Sequence, residues 1–303
     1  MNKILLIDIG GTNIRYAFAE DGFNHLDSTK KIPLDTIDNF HTFVSDIVNS
    51  KNIDNLVISA AGPKINGSIT MTNRDLSINE QELKCNLNLK SCSLLNDWES
   101  IGYSLSDIEE AEIGLIKNGN PFNGNTFFIG PGTGLGAAFK MEGGVVVPTE
   151  IGNTTGLTNS LLKNYGIEKS SEKFVTLEDV VSGSAISRVY EYKTGEKISS
   201  ENVVKLLRDG DETAKQVIEG FTKSLAEVIS DMALNFISGN GVYIAGSLMR
   251  TIVELMDKDL FVEHFMSNKK EIHKNLLERM PIGMINREHA CLLGNLNYYN
   301  QNK

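Results

Sequence analysis

Several absences narrow this chain before any motif is read. Its 303 residues include three cysteines, Cys85, Cys92 and Cys291, an odd set without CxxC spacing. Neither a disulfide framework nor a zinc site is expected, and the thiols read as reduced, partly buried small residues. The five histidines, His25, His41, His264, His273 and His289, never stand at metal-ligand spacing from one another or from a cysteine, which speaks against a protein-built transition-metal centre. No run approaches the ~18 to 20 uninterrupted apolar residues of a membrane span, and Met1-Asn2-Lys3 leads directly into an apolar strand without signal-peptide anatomy. A cytoplasmic protein with no membrane partner is the expectation. Prolines number six, no stretch is of low complexity, and no basic helix-turn-helix precedes the first strand. Positive charge is also short: 29 Lys and Arg against 39 Asp and Glu leave a formal net charge of -10, which argues against a nucleic-acid partner. Phosphates stay open, because backbone N–H groups and a divalent ion hold them without Lys or Arg.

What is present starts with Asp8-Ile9-Gly10-Gly11-Thr12-Asn13, which joins the apolar runs Ile4-Leu5-Leu6-Ile7 and Ile14-Arg15-Tyr16-Ala17-Phe18. It reads as a phosphate-gripping hairpin. The paired glycines are expected to let the backbone turn sharply and bring its N–H groups to an anion, with Thr12 and Asn13 as short donors and Asp8 where a hydrated metal ion could be held. An ordinary tight turn would use the same residues.

Length favours two domains, and 41% hydrophobic residues suffice for packed cores. The N-terminal third reads as strands over 3–9, 13–19 and 25–32, a helix over 34–48, and a buried strand over 55–61. A capping box at Ser77-Ile78-Asn79-Glu80 then opens a short helix to about Asn86, and a strand follows over Cys92 to Leu95. From Asn125 the plan repeats: Phe127-Phe128-Ile129, a Gly-rich turn through Gly130-Pro131-Gly132-Thr133-Gly134, and a second apolar strand. This is an internal duplication in which Ile129 corresponds to Ile7 and Gly130 to Asp8, so the second copy lacks the acid. Further on, apolar residues at three- and four-residue steps predict a core helix over 211–238, ended by Ser238-Gly239-Asn240-Gly241. A strand over 242–247, a helix around 252–256, a strand over 281–285 and a helix over 289–299 complete the reading.

Gly132-Thr133-Gly134-Leu135-Gly136-Ala137 formally fits a dinucleotide fingerprint, but that motif needs a helix after the loop and the residues here are strand-like. No GxxxxGK[ST] occurs, and the protein-kinase motifs are missing. A strand-turn-strand phosphate loop, used twice, remains.

Six motifs then stand in the order found in bacterial glucokinases: Asp8-Ile9-Gly10-Gly11-Thr12-Asn13-x-Arg15, Met71-Thr72-Asn73, Leu95-Asn96-Asp97, Gly130 to Gly136, Glu150-x-Gly152 and Ile244-Ala245-Gly246-Ser247. From Lys3 to about Gly294 the chain resembles that family, in the branch without the Cys-rich zinc motif. The family belongs to the hexokinase, actin and Hsp70 ATPase superfamily. The resemblance implies an α/β fold of the two-domain actin-like ATPase (ribonuclease H-like) type, with duplicated βββαβα units and a cleft between domains. It implies a small domain of residues 1–107 plus 289–303 and a large one of 108–288. The activity implied is ATP-dependent phosphorylation of glucose to glucose 6-phosphate, by a homodimer.

Asp97 is the candidate general base. It follows a strand at the end where an open α/β sheet builds its crevice, although from the residues alone an Asp capping the helix near Trp98 is the stronger reading. The resemblance favours the base. It also implies that Asn96, Glu150 and Glu178 grip the sugar, with Asn73 as a further member of the shell. Thr176-Leu177-Glu178-Asp179 alternatively reads as a helix start, where the dipole favours an acid. For the nucleotide, it implies Gly10, Gly11, Thr12 and Asn13 on one side of the phosphates, Gly132, Thr133 and Gly134 on the other, and Gly246 and Ser247 beside the adenosine. A plain strand-to-helix turn would also explain the last pair. Asp8 would orient Mg2+ through water. One departure stands out: the family's sugar-contacting histidine is Asn153 here, a residue that donates a hydrogen bond but carries no charge. Another hexose is therefore an alternative substrate, and a non-catalytic sugar-binding protein on the same fold, or a chaperone- or actin-like ATPase, an alternative function.

Overall fold

A computed structural model describes residues 2–71, 76–168 and 172–303. The chain divides into two compact units, Met1–Ile108 with Arg287–Lys303, and Glu109–Asn286.

In the first unit, β1 (Lys3–Ile9) and β2 (Asn13–Glu20) pair antiparallel, with Asp8 opposite Arg15 and Ile9 opposite Ile14. β3 (Asp27–Pro33) extends the meander. After α1 (Phe40–Lys51) comes β4 (Asn55–Ala60), parallel to β1. β5 (Lys64–Ile65), β6 (Ser68–Thr70) and β7 (Ser77–Asn79) form a small separate sheet. α2 (Glu80–Asn86) then leads to β8 (Ser91–Asn96), parallel to β4, and α3 (Asp97–Ser104). The main sheet runs β3-β2-β1-β4-β8. Period-two alternation decides which side chains of β1 face which core. Leu5, Ile7 and Ile9 join the cluster with Val44 and Val48 of α1, while Ile4 and Leu6 pack with Leu292 and Leu296.

The second unit carries β9 (Ile113–Lys117), β10 (Thr126–Pro131), β11 (Leu135–Lys140), β12 (Val146–Thr149) and α4 (Thr158–Leu162). α5 (Gly183–Thr194), α6 (Ser200–Arg208) and α7 (Glu212–Phe236) follow. β13 (Gly241–Ile244), α8 (Ser247–Leu255), α9 (Lys258–Met266), α10 (Glu271–Glu278) and β14 (Ile282–Ile285) complete it. Its sheet runs β12-β11-β10-β13-β14-β9. The last helix, α11 (Ala290–Asn302), belongs to the first unit.

Strand register demonstrates the duplication. Ile7 lies opposite Ile58 in the β1–β4 pair, and Ile129 opposite Ile244 in the β10–β13 pair. Asp8–Arg15 and Gly130–Gly136 are each the penultimate pair before their turn. Ile129 therefore does correspond to Ile7, and Gly130 to Asp8. β9 has no equivalent in this plan; it adds an antiparallel edge to β14.

Several expected boundaries move, each for a local reason. α1 starts at Phe40 rather than Leu34, because Asn39 is the cap and accepts the Thr42 N–H at 2.9 Å. Ser77 lies in β7 and caps nothing; Asn79 caps α2 by accepting from the Glu82 N–H. α7 begins where Asp211 accepts the Ala214 N–H, and it ends at Ile237, held at φ +46°, before the Gly-rich run. The strand expected to reach Ser247 stops at Ile244, and Gly246 at φ +127° turns the chain into α8. Among the described residues no helix is long and apolar enough to cross a membrane.

Candidate active site

β1, β4 and β8 run parallel, so their C-terminal ends share one edge of the first unit's sheet. Asp8 is level with Ser59 on β4, and Ser59 with Leu95 on β8, which sets Asp97 two residues beyond that level. Neighbouring strands lie about 4.8 Å apart, so β1 and β8, on either side of β4, are roughly 10 Å apart.

The cap of α3 falls to Asn96, not to Asp97. Asn96 Oδ1 accepts from the N–H groups of Trp98 (2.9 Å) and Glu99 (3.4 Å), and Glu99 Oε2 accepts from the Asn96 N–H at 3.2 Å. That reciprocal box satisfies the first donors of the helix. Asn96 Nδ2 donates to the Gly62 carbonyl at 3.0 Å. Asp97 is the first helical residue, and its Oδ1 accepts the Trp98 N–H at 3.0 Å.

Asp8 is 6% exposed. Its Oδ2 receives Arg15 Nη1 at 3.0 Å and its Oδ1 receives the Ser59 hydroxyl at 3.3 Å. Burial pushes its pKa up, and Arg15 and Ser59 oppose that shift. Cys291, in the first turn of α11, has Sγ 3.8 Å from the Asp97 carbonyl and also bonds to Asp8. Burial, followed by the charges of Asp8 and Asp97, pushes this thiol well above the ordinary range. It is a neutral thiol between two acids, not a nucleophile.

The hairpin between β1 and β2 is closed by Gly10 N–H donating to the Asn13 carbonyl at 3.0 Å and by Asn13 Nδ2 donating to Thr12 Oγ1 at 2.8 Å. The paired glycines were expected to let the backbone turn sharply, yet the turn does not use their conformational freedom: neither Gly10 nor Gly11 has a positive φ, and a Cβ at Gly11 would meet nothing within 4 Å. The same holds for Gly132 in the second hairpin.

In the second unit, Gly132 N–H donates to the Gly134 carbonyl at 2.8 Å, and the Gly132 carbonyl accepts from Gly183 N–H at 2.7 Å, at the start of α5. Glu178 Oε2 accepts the Leu135 N–H at 3.3 Å. Cβ atoms at Gly134 and Gly152 would fall 2.6 and 3.3 Å from that same oxygen. Glu178 therefore joins the second Gly-rich turn to the Glu150-x-Gly152 segment. The capping box over 176–179 belongs to Thr176 and Asp179, so Glu178 is not spent on it. Glu150, exposed after β12, accepts from Asn153 Nδ2 at 3.3 Å. Gly246 and exposed Ser247 stand where β13 hands over to α8.

Within the first unit the fold thus gathers Asp8, Asn96, Asp97 and the 10–13 hairpin at one sheet edge. Within the second it gathers the 132–134 turn, Glu150, Asn153 and Glu178. Asn73 lies outside the described residues. Among those described, no group of three or more His, Cys, Asp or Glu could hold a metal ion. Sequence reading missed the partners of the acids, Ser59 and Cys291, and assigned Arg15 no part. Ser59 had left a signal, as a polar residue inside the apolar run Leu56-Val57-Ile58-Ser59-Ala60.

The family model described as Glucokinase matches residues 5–302. A glucokinase-like protein of Xylella fastidiosa is 25% identical over 98% of this chain and 94% of its own, and a glucokinase of Nitrobacter hamburgensis is 28% identical over 95% and 94%. Among solved structures, the glucokinase of an Antarctic psychrotroph superposes with TM-score 0.81 at 22% identity, covering 99% of both chains. The glucokinase of Balamuthia mandrillaris, in complex with glucose, gives 0.78 at 18% over 99% and 94%. A ROK family glucokinase of Streptomyces griseus, in complex with glucose and AMPPNP, gives 0.66 at 18% over 98% and 99%. These likenesses establish the actin-like ATPase fold. With the family match running over nearly the whole length, the chain belongs to the glucokinase family, the hexose kinases that phosphorylate sugars with ATP.

Proposed function

We propose that this hexose kinase transfers the γ-phosphoryl group of ATP to glucose, with Asp97 as the general base. The observation that carries the reading is the pair of carboxylates at one sheet edge. Asp8 is buried and ion-paired, and Asp97 lies in the first turn of a helix whose cap another residue supplies.

Phosphoryl transfer needs a proton acceptor at the attacking hydroxyl, a clamp on the phosphates and in-line geometry. Asp97 takes the hydroxyl proton as that oxygen bonds to the γ-phosphorus, while the bond from the γ-phosphorus to the β–γ bridging oxygen breaks and ADP leaves. Asn96 holds Asp97 in place through the helix cap, and one N–H of its amide remains to reach a sugar hydroxyl. Glu150 and Glu178 accept hydroxyl donors, with Asn73 as a further contact. The N–H groups of Gly10 to Asn13 and of Gly132 to Gly134 receive the phosphates, and Gly246 and Ser247 lie against the adenosine. Gly11 and Gly132 support that role, since neither packing nor φ requires them to be glycine.

One carboxylate, with both oxygens already engaged by Arg15 and Ser59, is no cage for a bare ion. It suits Mg2+ that keeps its water, which Asp8 would hold through that water. When bound, Mg2+ neutralises charge on the transferring group. Asn153 supports a second reading, in which another hexose is the better substrate: it donates to Glu150 where the family carries histidine. The likeness to the family also supports a cytoplasmic homodimer, which light scattering of the purified protein tests.

Asp97→Asn tests the central assignment. The variant should lose about 10²- to 10⁴-fold in kcat while hexose still changes the fluorescence of Trp98, the chain's only tryptophan. Wild-type turnover in the variant would remove Asp97 from the reaction. A coupled assay across glucose, mannose, fructose and N-acetyl sugars separates the two substrate readings.

A further inference from the structure

Asn295, on α11, is a buried polar group that the mechanism above leaves unused. It is fully buried, beside the apolar cluster of Ile4, Leu6, Leu95, Leu292 and Leu296. A carboxamide is costly there unless its hydrogen bonds are made. They are made to the two elements that carry the acids. Nδ2 donates to the Ile7 carbonyl at 2.8 Å and to Ser59 Oγ at 3.2 Å. A carbonyl only accepts, so this contact fixes which end of the amide faces β1. Ser59 in turn donates to Asp8 Oδ1 at 3.3 Å. The other end, Oδ1, accepts from Ser100 Oγ at 2.7 Å, and Ser100 shares that hydroxyl with the Cys291 carbonyl at 2.6 Å. Ser100 is fully buried and lies three residues after Asp97, one turn along α3. Gly294 lets the two helices approach, since a Cβ there would collide with the Ser100 carbonyl.

We infer that Asn295 is a positioning residue: one amide, bonded at one end to the strand of Asp8 and at the other to the helix of Asp97, sets the separation of the two carboxylates. The inference rests on the reading of Asp8 and Asp97 given above. Losing either end frees one acid relative to the other, and small displacements of reacting groups are expensive in rate.

The test uses the full chain with Asn295→Leu, Ser59→Ala and Ser100→Ala, compared by thermal melting, by hexose phosphorylation and by Trp98 emission without any ligand. Asn295→Leu should lose about 10-fold or more in kcat, with the hexose KM held within roughly twofold. Trp98 lies in the first turn of α3, so its emission should shift in Asn295→Leu and Ser100→Ala. It should not shift in Ser59→Ala, whose kcat nonetheless falls. A merely structural role would lower the melting temperature but leave kcat per folded molecule and the emission unchanged. If Asn295→Leu does not fold, the serine variants decide: lowered kcat in both upholds the inference, and wild-type kcat in both overturns it. Asp97→Asn in the same assay separates the two claims. If it is inactive while the other variants behave as wild type, only the positioning role falls. If it keeps wild-type turnover, the reading of Asp97 falls and the inference with it.

Discussion

Replacing Gly11 with alanine should make the protein more stable and less active. The added Cβ meets no atom within 4 Å and the residue has no positive φ, so the folded state accepts it without strain. Restricting the unfolded chain at such a site stabilises by about 0.4–1 kcal/mol, which for a chain of this size raises the melting temperature by about 1 to 4 °C. If the 10–13 hairpin grips phosphate, the same methyl group occupies the ligand's approach. Losing one hydrogen bond to a charged group costs about 1.5–3 kcal/mol, or about 10- to 150-fold in kcat/KM for ATP. A coupled assay with ATP varied at saturating hexose reads the second quantity and a thermal melt the first. Gly62→Ala is the contrast: at φ +134°, with its Cβ 2.7 Å from the Thr70 carbonyl, it should destabilise. Gly11→Ala with wild-type kcat/KM for ATP would refute the phosphate-loop assignment. A lowered melting temperature would refute the claim that the fold leaves the position open.

Other perturbations follow the same logic. Burial raises the pKa of Asp8 in the folded state, so the folded protein binds this proton more readily than the unfolded chain, and the ionised form costs stability at neutral pH. Asp8→Asn should therefore melt higher than wild type at pH 7 and phosphorylate far more slowly. The melting difference should shrink as pH falls through the raised value towards the ordinary 3.8; a difference that grows on acidification would show the sign to be wrong. Asn153→His should alter the ratio of kcat/KM between glucose and mannose, because it replaces the neutral donor to Glu150 with a titrating ring. An unchanged ratio across the hexoses would separate Asn153 from sugar choice.

Much of the fold was legible because it is written in local pattern. The strand-turn-strand hairpins announce themselves through alternating apolar residues, and the restart at Asn125 shows as a repeated order of residue types, confirmed by matching register. Boundaries were less legible where two cap candidates stood close together. Asn39, Asn79 and Asn96 each displaced an expected start, because whichever side chain reaches a free N–H wins the position. β9 went unread, since a short edge strand is held by a partner far along the chain.

The sequence alone determined the two hairpins, the acid present in one and missing from the other, the long core helix and the ordered motifs that mark the family. These are properties of neighbouring residues, whose spacing and chemistry need no third dimension. Tertiary structure decided what surrounds the acids. Asn295 reaches Ile7 and Ser59 across separations of 288 and 236 residues. Glu178 meets Leu135 across 43. An asparagine in a helix or a serine in a strand carries no mark of its partner, because hydrogen bonds of this kind exist only once the sheet has set β1, β4 and β8 side by side and α11 has packed across them. The environment that burial, Arg15 and Ser59 impose on Asp8 arises only there.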